Sequence, residues 1–543
     1  MKKNFNPSVY FSDREVPILF WICFFGIAVV YLTHLGVVPI HAMADECRRA
    51  LVAMEMCLTG DYITPTLNGE PYLNKPPLYS WIIIASYRLI GNYDEFALRL
   101  PVVLSILGHG ILIYFIVKRF CSPVVAAMTA LAFMTNGRTL MFDSMLGLLE
   151  HTLALLIYAS FMLIYIFGEK KKYLLLFTVS YVISALGFLI KGLPSIAHQG
   201  IALLVYFIYT RKFKILFSWY HVAGIAAFLL TIAAYYIPYF SHNSLSPDIL
   251  VSKIFNESSK RYYFNGILGY LKVLLDYPKD FIYHFLPWTL LLLVLVRKNI
   301  RNIMRENRFV WFNVLLFITN SPIYWFAALR NPHYLYFLLP LLFTLLFYVY
   351  YKSDRTDWQV KVLDSILWIG LGLAVLGAGY LPFNKLVENT SGLWIKSIIL
   401  TGAFLGLFFL FRKLVSLRLF LFVIAIIFIR LTFNWFVLPQ RIAGQQVYVD
   451  RASRVNEIVQ HSPLLIMAEY PAGFYDGITY FIEKYRNEIL RVSHSIDYDT
   501  YYLVDDVYVA KYPCEILFQF PFRYADNNLR YEKQMYLVKF IKD

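Results

Sequence analysis

Long apolar runs separated by short polar connections fill the chain up to about residue 440. Each run is roughly 18 to 25 residues long, the length of a helix that crosses the hydrocarbon core of a bilayer. This pattern predicts about 13 spanning helices, and no cleavable signal peptide is expected ahead of them. The predicted spans lie near residues 17–39, 98–117, 122–137, 146–167, 173–190, 193–210, 219–239, 281–296, 309–327, 333–351, 362–382, 393–411 and 417–438.

Composition supports the same class of protein. The 543 residues are 59% hydrophobic and only 16% charged, whereas roughly a quarter of a soluble domain is charged. The net charge of +15 does not require a nucleic acid partner, because cytoplasmic loops of membrane proteins are rich in lysine and arginine. We therefore expect an α-helical polytopic membrane protein.

The basic residues predict the orientation. With the N-terminus in the cytoplasm, every second connection is short and basic, as the positive-inside rule requires. These connections carry Lys118–Arg119, Lys170–Lys172, Arg211–Lys214, Arg297–Arg308, Lys352–Lys361 and Arg412–Arg418. The opposite connections are then extracytoplasmic, and two of them are long, at about 40–97 and 240–280.

The last hundred residues differ from the rest. Polarity rises after residue 439, and the runs "PLLIMAEY", "YYLVDD" and "QMYLVKF" are typical of strands, with a helix-like "GITYFIEKY" between them. We expect two domains: a membrane domain over 1–439 that carries external juxtamembrane helices, and a small periplasmic α/β domain over 440–543.

Basic residues on the predicted outer side break the charge rule. Any one of them could simply reach the lipid headgroups, but several together would bind a phosphate. They are Arg48, Arg49, Lys75, Arg88, Arg99, Arg138, Lys191, Lys253, Lys260, Arg261 and Arg330.

The segment "DECRRALVAMEMCLTGDY" at 45–62 predicts a helix on the membrane surface. Asp45 suits the start of this helix and Gly60 its end. Capping alone explains an aspartate at position 45. The alternative is that its carboxylate, held beside cations, acts as a general base or positions a nucleophile.

The first long loop resembles that of GT-C glycosyltransferases, above all the bacterial 4-amino-4-deoxy-L-arabinose (lipid A) transferases and the protein O-mannosyltransferases. The matching motifs follow in order. They are Asp45–Glu46, Gly60–Asp61–Tyr62, Leu67–Asn68–Gly69, Lys75–Pro76–Pro77 and Leu98–Arg99–Leu100–Pro101. Further similar elements are "FDSMLGLLEHT", "GFLIKGLP", "FNESSKRYYF" and "NPHYLYFLLP".

The resemblance implies a role for each matched residue. Asp45 corresponds to the catalytic aspartate, and the cations near the donor phosphate are Arg48, Lys75, Lys191 and Arg261. Residues that would bind or support the substrates are Glu46, Asn74, Asp143, Glu257, Arg330, His333, Tyr334 and Tyr336. Asn74 stands where aminoarabinose transferases have an acid, and the segment 333–337 leaves the family's tyrosine ambiguous, so the sugar stays open.

The resemblance implies transfer of a sugar from a polyprenyl-phosphate donor to an envelope acceptor such as lipid A, by inversion, on the periplasmic face of the bacterial inner membrane. Protein O-glycosylation is an alternative. A lipid-linked sugar flippase is an alternative of another class. A flippase should carry charges near the middle of the membrane, whereas the unexplained charges of this chain lie mostly at one face. Arg430, inside the last predicted span, is the exception. No cofactor or metal site is expected, because the 11 histidines form no ligand pattern. The sequence does not exclude a divalent metal.

Overall fold

The computed structural model describes residues 15–40, 45–259, 266–327, 331–467, 476–526 and 529–542. The chain divides into two compact units. Unit 1 comprises Met1–His34, Val102–Ala234 and Val251–Leu438. Unit 2 comprises Leu35–Pro101, Tyr235–Leu250 and Pro439–Asp543.

Helices make up most of the described chain, which confirms the predicted class. They are α1 (Glu15–Leu32), α2 (Asp45–Thr59), α3 (Leu78–Ile90), α4 (Glu95–Val117), α5 (Pro123–Met134), α6 (Gly137–Met141), α7 (Glu150–Glu169), α8 (Tyr173–Lys191), α9 (Pro194–Tyr209), α10 (Trp219–His242), α11 (Pro247–Ser259), α12 (Gly266–His284), α13 (Ile300–Glu306), α14 (Arg308–Asn320), α15 (Pro322–Trp325), α16 (Leu339–Tyr351), α17 (Trp358–Tyr380), α18 (Leu393–Lys413), α19 (Arg418–Thr432), α20 (Leu438–Val459), α21 (Asp476–Arg486) and α22 (Asp506–Lys511).

Eight helical stretches of the described chain are long and apolar enough to cross a bilayer. They are Glu15–Leu32, Glu95–Val117, Glu150–Glu169, Tyr173–Lys191, Trp219–His242, Trp358–Phe383, Leu393–Lys413 and Val415–Val459. Four more helices, α3, α5, α9 and α16, are apolar but shorter. The polytopic architecture is therefore confirmed, whereas the number of thirteen spans stays a prediction.

The structure corrects two of the predicted spans. The run 281–296 contains the end of α12 and then a 3-10 segment, Trp288–Leu295. The run 309–327 contains α14 and then the short α15. Pro287 precedes the 3-10 segment and Pro322 begins α15. A proline has no backbone N–H to donate, so it interrupts a continuous helix at each place.

The centre of unit 1 forms around α5, whose residues are all buried from Val124 to Met134. A helix that is apolar on every side belongs in such a position, and α1, α16 and α19 pack against it. Gly110 of α4 leaves room for the Met134 side chain of α5, because a Cβ at position 110 would lie 2.4 Å from the Met134 sulfur.

Unit 2 contains the first long loop. There α2 packs against α3 and α21, and the short strands β1 (Thr66–Leu67) and β2 (Glu70–Pro71) pair antiparallel. The helix predicted over 45–59 is present. Its apolar residues Leu51 and Met54 are fully buried in protein, so packing within unit 2, rather than lipid, accounts for them.

The C-terminal segment of unit 2 forms a four-stranded sheet. Its strands are β3 (Leu464–Met467), β4 (Tyr501–Asp505), β5 (Cys514–Asp526) and β6 (Leu529–Phe540). Their order is β3-β4-β6-β5, with β3 and β4 parallel and the other pairs antiparallel. The predicted α/β character is confirmed, and β5 is an additional strand. The domain boundary at 439 stays a prediction; α20 runs across that position.

Candidate active site

Asp45 lies in the first turn of α2 and is open to solvent. Its side chain is 62% exposed, and Oδ1 lies 3.5 Å from Nη1 of Arg48, one turn further along the helix. An exposed ion pair at this spacing contributes little to stability, about 0.3–0.5 kcal/mol. We call Asp45 and Arg48 the open pair. Its carboxylate can exchange this partner for a substrate at small cost.

Glu46, the next residue, has the opposite environment. It is fully buried, and Arg99 donates to it twice, from Nε to Oε1 at 2.7 Å and from Nη2 to Oε2 at 3.2 Å. Arg99 Nη1 also donates to the carbonyls of Leu35 and Val38. This two-armed ion pair ties the start of α2 to α4. The role of Glu46 as a residue that supports the substrate stays a prediction.

Lys75 and Asn74 lie in the turn that precedes α3, and both are half-buried. Lys75 Nζ donates to the Asn74 carbonyl at 3.1 Å. Pro77 follows at the N-terminal end of α3, where a missing N–H costs nothing. The turn thus places a half-buried cation just before α3.

A second set of charges lies in unit 1 and is buried. Asp143, only 1% exposed, accepts hydrogen bonds from Arg138 Nε at 3.0 and 3.1 Å and from the Tyr336 hydroxyl at 2.5 Å. His333 Nδ1 lies 3.9 Å from the same carboxylate. The Tyr336 ring stacks on His151 with 4.0 Å between centroids. Buried charges need such partners, because a lone one would be costly to desolvate.

Lys191 and Glu150 extend this set. Lys191 Nζ lies 2.7 Å from Glu150 Oε1 and 3.9 Å from the centre of the Tyr334 ring. His333 Nε2 lies 4.0 Å from the same Glu150 oxygen. His333 thus stands between the carboxylates of Asp143 and Glu150. We call Arg138, Asp143, Glu150, Lys191, His333 and Tyr336 the closed cluster.

The structure brings together four of the predicted site residues of unit 1: Asp143, Lys191, His333 and Tyr336, with Tyr334 beside Lys191. Glu257 lies in α11, while Arg261 and Arg330 lie outside the described residues. Glu150 was not predicted as a site residue, and Arg138 was predicted only as one of the basic residues on the outer side. Each was visible as a charge at the edge of an apolar run, but only packing shows which partner it meets.

Arg430, the charge inside the last predicted span, also gains a role. It is almost fully buried on α19. Its Nη1 donates to the Leu140 carbonyl and, at 3.2 Å, to Ser144 Oγ. Leu140 and Ser144 flank the segment that carries Asp143. Arg430 therefore anchors the backbone beside Asp143 of the closed cluster.

Two further carboxyl groups are buried in unit 2, outside the predicted spans. Burial raises the pKa of Glu55, although hydrogen bonds from Thr66 Oγ1 and the N–H groups of Asn68 and Gly69 oppose the shift. Burial, and then the charge of Glu55, raises the pKa of Glu483 well above its usual range. Asn68 Nδ2 donates to Glu483 Oε1 at 3.3 Å. These two acids join the β1–β2 turn to α21.

Among the described residues, no group of three or more His, Cys, Asp and Glu side chains converges to hold a metal ion. The chemistry that the described residues offer is that of an exposed carboxylate with neighbouring cations. Such a set can accept a proton and stabilise an anionic leaving group. Independence of a metal or cofactor stays a prediction.

Comparison with known proteins gives three kinds of similarity. The family model for dolichyl-phosphate-mannose-protein mannosyltransferase matches residues 74–237. The undecaprenyl phosphate-alpha-4-amino-4-deoxy-L-arabinose arabinosyl transferase of Edwardsiella ictaluri is 27% identical over 38% of this chain and 39% of its own length. Transferase 1 of the same description from Proteus mirabilis is 30% identical over 36% of each chain.

One solved structure covers nearly the whole chain. ArnT from Cupriavidus metallidurans, bound to undecaprenyl phosphate, superposes with a TM-score of 0.67 at 18% identity, covering 95% of this chain and 97% of that one. The similarity in fold therefore extends over nearly the whole chain, while the curated transferases match over less than two fifths of their length. Together these findings show a polytopic membrane protein with the fold of ArnT, whose sequence resembles lipid-phosphate-sugar glycosyltransferases over part of its length.

Proposed function

We propose that the chain transfers a sugar from an undecaprenyl-phosphate-linked donor to an envelope acceptor such as lipid A. The named activity of the related transferases and the lipid phosphate bound to the ArnT structure support this donor. The reaction would take place on the periplasmic face of the inner membrane, with the N-terminus in the cytoplasm and residues 440–543 in the periplasm. The basic connections on one predicted side support that orientation.

The exposure of Asp45 is the observation that carries this proposal. Of two adjacent acids on α2, Glu46 is consumed by a buried ion pair and Asp45 is open. A group that acts on a substrate must be reachable and must be able to change partners. Asp45 meets both conditions and stands in the motif position of the family's catalytic aspartate.

The proposed reaction is a single displacement with inversion. The acceptor oxygen forms a bond to the anomeric carbon of the sugar while the bond from that carbon to the phosphate oxygen breaks, and its electron pair stays on the phosphate. With a hydroxyl acceptor, Asp45 takes the proton, a role typically worth about 10² to 10⁴ in rate. With a phosphate acceptor the nucleophile is already an anion, and Asp45 orients it or stabilises positive charge on the sugar.

Cations would stabilise the leaving phosphate. Arg48 and Lys75 of unit 2 are assigned this role because both are cations of the first long loop and neither is fully buried. For Lys191 and Arg261 the same role follows from their family motifs. Asn74, Glu257, Arg330, His333, Tyr334 and Tyr336 are proposed as residues that bind or position the substrates. Asp143 is proposed to hold Arg138, Tyr336 and His333 in place.

A protein acceptor is the second candidate, favoured by the protein mannosyltransferase model that matches residues 74–237. Asn74 agrees with it, since the aminoarabinose enzymes resembled here have an acid at that position. The donor chemistry would be unchanged, and only the acceptor would differ.

The test compares envelope fractions from cells that carry the wild-type chain, Asp45→Asn or neither. We expect mass spectrometry to show a sugar increment on lipid A only with the wild-type chain. An increment on periplasmic proteins instead would replace lipid A by a protein acceptor. Equal lipids and proteins in all three strains, with intact membrane expression, would contradict the proposal.

A further inference from the structure

A cavity of about 160 Å³ opens in unit 1 beside the closed cluster. One wall is the last two turns of α12, with Tyr277, Asp280 and His284. Tyr324 of α15 and residues Asn331, Pro332 and Leu335 also line it. The proposed reaction assigns no role to Tyr277, Asp280, His284 or Tyr324.

The aromatic walls of this cavity are held in fixed positions. The Tyr277 ring stacks on Trp325 with 5.5 Å between centroids, and the Trp325 indole N–H donates to the Leu274 carbonyl at 3.0 Å. The Tyr324 hydroxyl lies 3.3 Å from Nε2 of the buried His198. Rings that are held in this way present flat apolar faces at little entropic cost on binding.

Polar groups stand at defined places around the same space. Asp280 and His284 are four residues apart on α12, so they share one face of the helix. Asn331 lines the same cavity, and its Nδ2 is 3.4 Å from the Tyr334 hydroxyl. The Tyr334 ring in turn lies under the Lys191 ammonium. The cavity is thus joined to the closed cluster through Tyr334.

We propose that this cavity is a subsite for one sugar ring of a substrate. Its volume is similar to that of an engineered cavity of about 150 Å³ that binds benzene, a six-membered ring. Its lining also fits: flat aromatic faces pack against the C–H face of a sugar, while a carboxylate, an imidazole and an amide can hydrogen-bond to its hydroxyl or amino substituents. The inference rests on the proposed function, and the ring could belong to the donor or to the saccharide of the acceptor.

The test uses the full chain purified in detergent, with two cavity variants and one control. Asp280→Asn removes the charge that accepts hydrogen bonds, and Tyr277→Leu removes an aromatic face. Asp276→Asn is the matched control, because Asp276 lies one turn away on α12, is paired with Lys279 and does not line the cavity. Thermal unfolding establishes that each variant is folded.

Two quantities are measured for each protein. The first is the affinity for undecaprenyl phosphate carrying 4-amino-4-deoxy-L-arabinose relative to undecaprenyl phosphate alone. The second is the KM for lipid A. A fall of about ten-fold in the affinity ratio in both cavity variants, as expected for the loss of one strong hydrogen bond or one packed face, places the donor sugar in the cavity. A ten-fold rise in KM with an unchanged ratio places the acceptor saccharide there.

The inference is overturned if both quantities stay within two-fold of wild type, or if binding of the sugar-free lipid phosphate falls equally. Failure of the proposed function has a different signature. A wild-type chain that transfers nothing to lipid A contradicts the proposed acceptor, while the affinity ratio still decides whether the cavity binds the donor sugar.

Discussion

The open pair of unit 2 and the closed cluster of unit 1 contain the same chemical groups in opposite environments. Asp45 is mostly exposed and meets one arginine at 3.5 Å. Asp143 is buried and meets Arg138 and Tyr336 at 3.1 Å or less. A carboxylate whose lone pairs are already used serves to hold other groups, whereas one with a weak partner can turn to a substrate. Burial and the number of hydrogen-bond partners, rather than residue type, thus separate the proposed catalytic role of Asp45 from the structural role of Asp143.

Energetics follow the same division. Breaking a buried ion pair costs about 3–5 kcal/mol, because it leaves an uncompensated charge. Breaking an exposed pair costs less than about 1 kcal/mol. Substitutions in the closed cluster should therefore lower stability together with activity, and substitutions in the open pair should lower activity alone.

The largest stability effect is expected at Asp143. Asp143→Asn removes the charge that faces Arg138, and we expect the folded state to lose about 3 kcal/mol, because Arg138 is then left half-buried without its carboxylate. The measurement is the midpoint of thermal unfolding in detergent, with Asp45→Asn as the reference. Equal midpoints for the two variants would contradict the expectation that the closed cluster stabilises the fold more than the open pair does.

Lys75 should show the next largest effect, on rate. Lys75→Gln removes a cation assigned to the leaving phosphate, and we expect transfer to fall about a hundred-fold, close to 2.7 kcal/mol. Arg88→Gln is the matched control, since Arg88 is an exposed cation of the same loop that donates to the Tyr62 hydroxyl. If both variants lost activity equally, loop charge in general and not Lys75 would be responsible.

Glu483, a buried acid of unit 2, should make the stability of the chain depend on pH. Burial raises the pKa of Glu483, so the folded chain keeps a proton that the unfolded chain releases above the ordinary value. Wild-type stability should therefore fall as pH rises from that value towards the folded pKa, by at most about 1.4 kcal/mol per pH unit for one proton. The midpoint of thermal unfolding is measured from pH 5 to pH 8.

Glu483→Gln cannot lose a proton, so its stability relative to wild type should increase with pH over that range. The control is Glu488→Gln, because Glu488 is exposed and paired with Arg486. A constant difference between wild type and Glu483→Gln at all pH values would show that Glu483 does not hold its proton in the folded state.

The smallest effect on stability is expected at Arg48. Arg48→Gln breaks the open pair, and the loss in free energy of unfolding should stay below about 1 kcal/mol. Thermal unfolding in detergent measures it. A loss as large as that of Asp143→Asn would mean that Arg48 is a structural residue like Arg99.

Hydropathy and charge predicted the membrane fold well, because long apolar helices are set by local composition. β5 was missed. It contains Pro521 and follows Pro513, and prolines argue against a strand. The sheet order explains the exception, since β5 lies at an edge and leaves one side of its backbone unpaired.

The candidate site was predictable only in part. Asp45, Lys75 and Lys191 stand in recognisable motifs. The pairing of Lys191 with Glu150 and of Asp143 with Tyr336 joins residues 41 and 193 positions apart. Such pairs depend on how helices pack, and helix periodicity does not encode them. The buried ion pair of Glu46 with Arg99 likewise joins residues 53 positions apart, which the motif alone did not indicate.

The most direct test of the central claim is the transfer rate of purified Asp45→Asn relative to wild type, measured with the thermal midpoint of the same sample. The account predicts a rate about 10² to 10⁴ lower at an unchanged midpoint, because the carboxylate is exposed and contributes little to folding. A rate within two-fold of wild type would contradict the account, and would show that Asp45 only begins the helix.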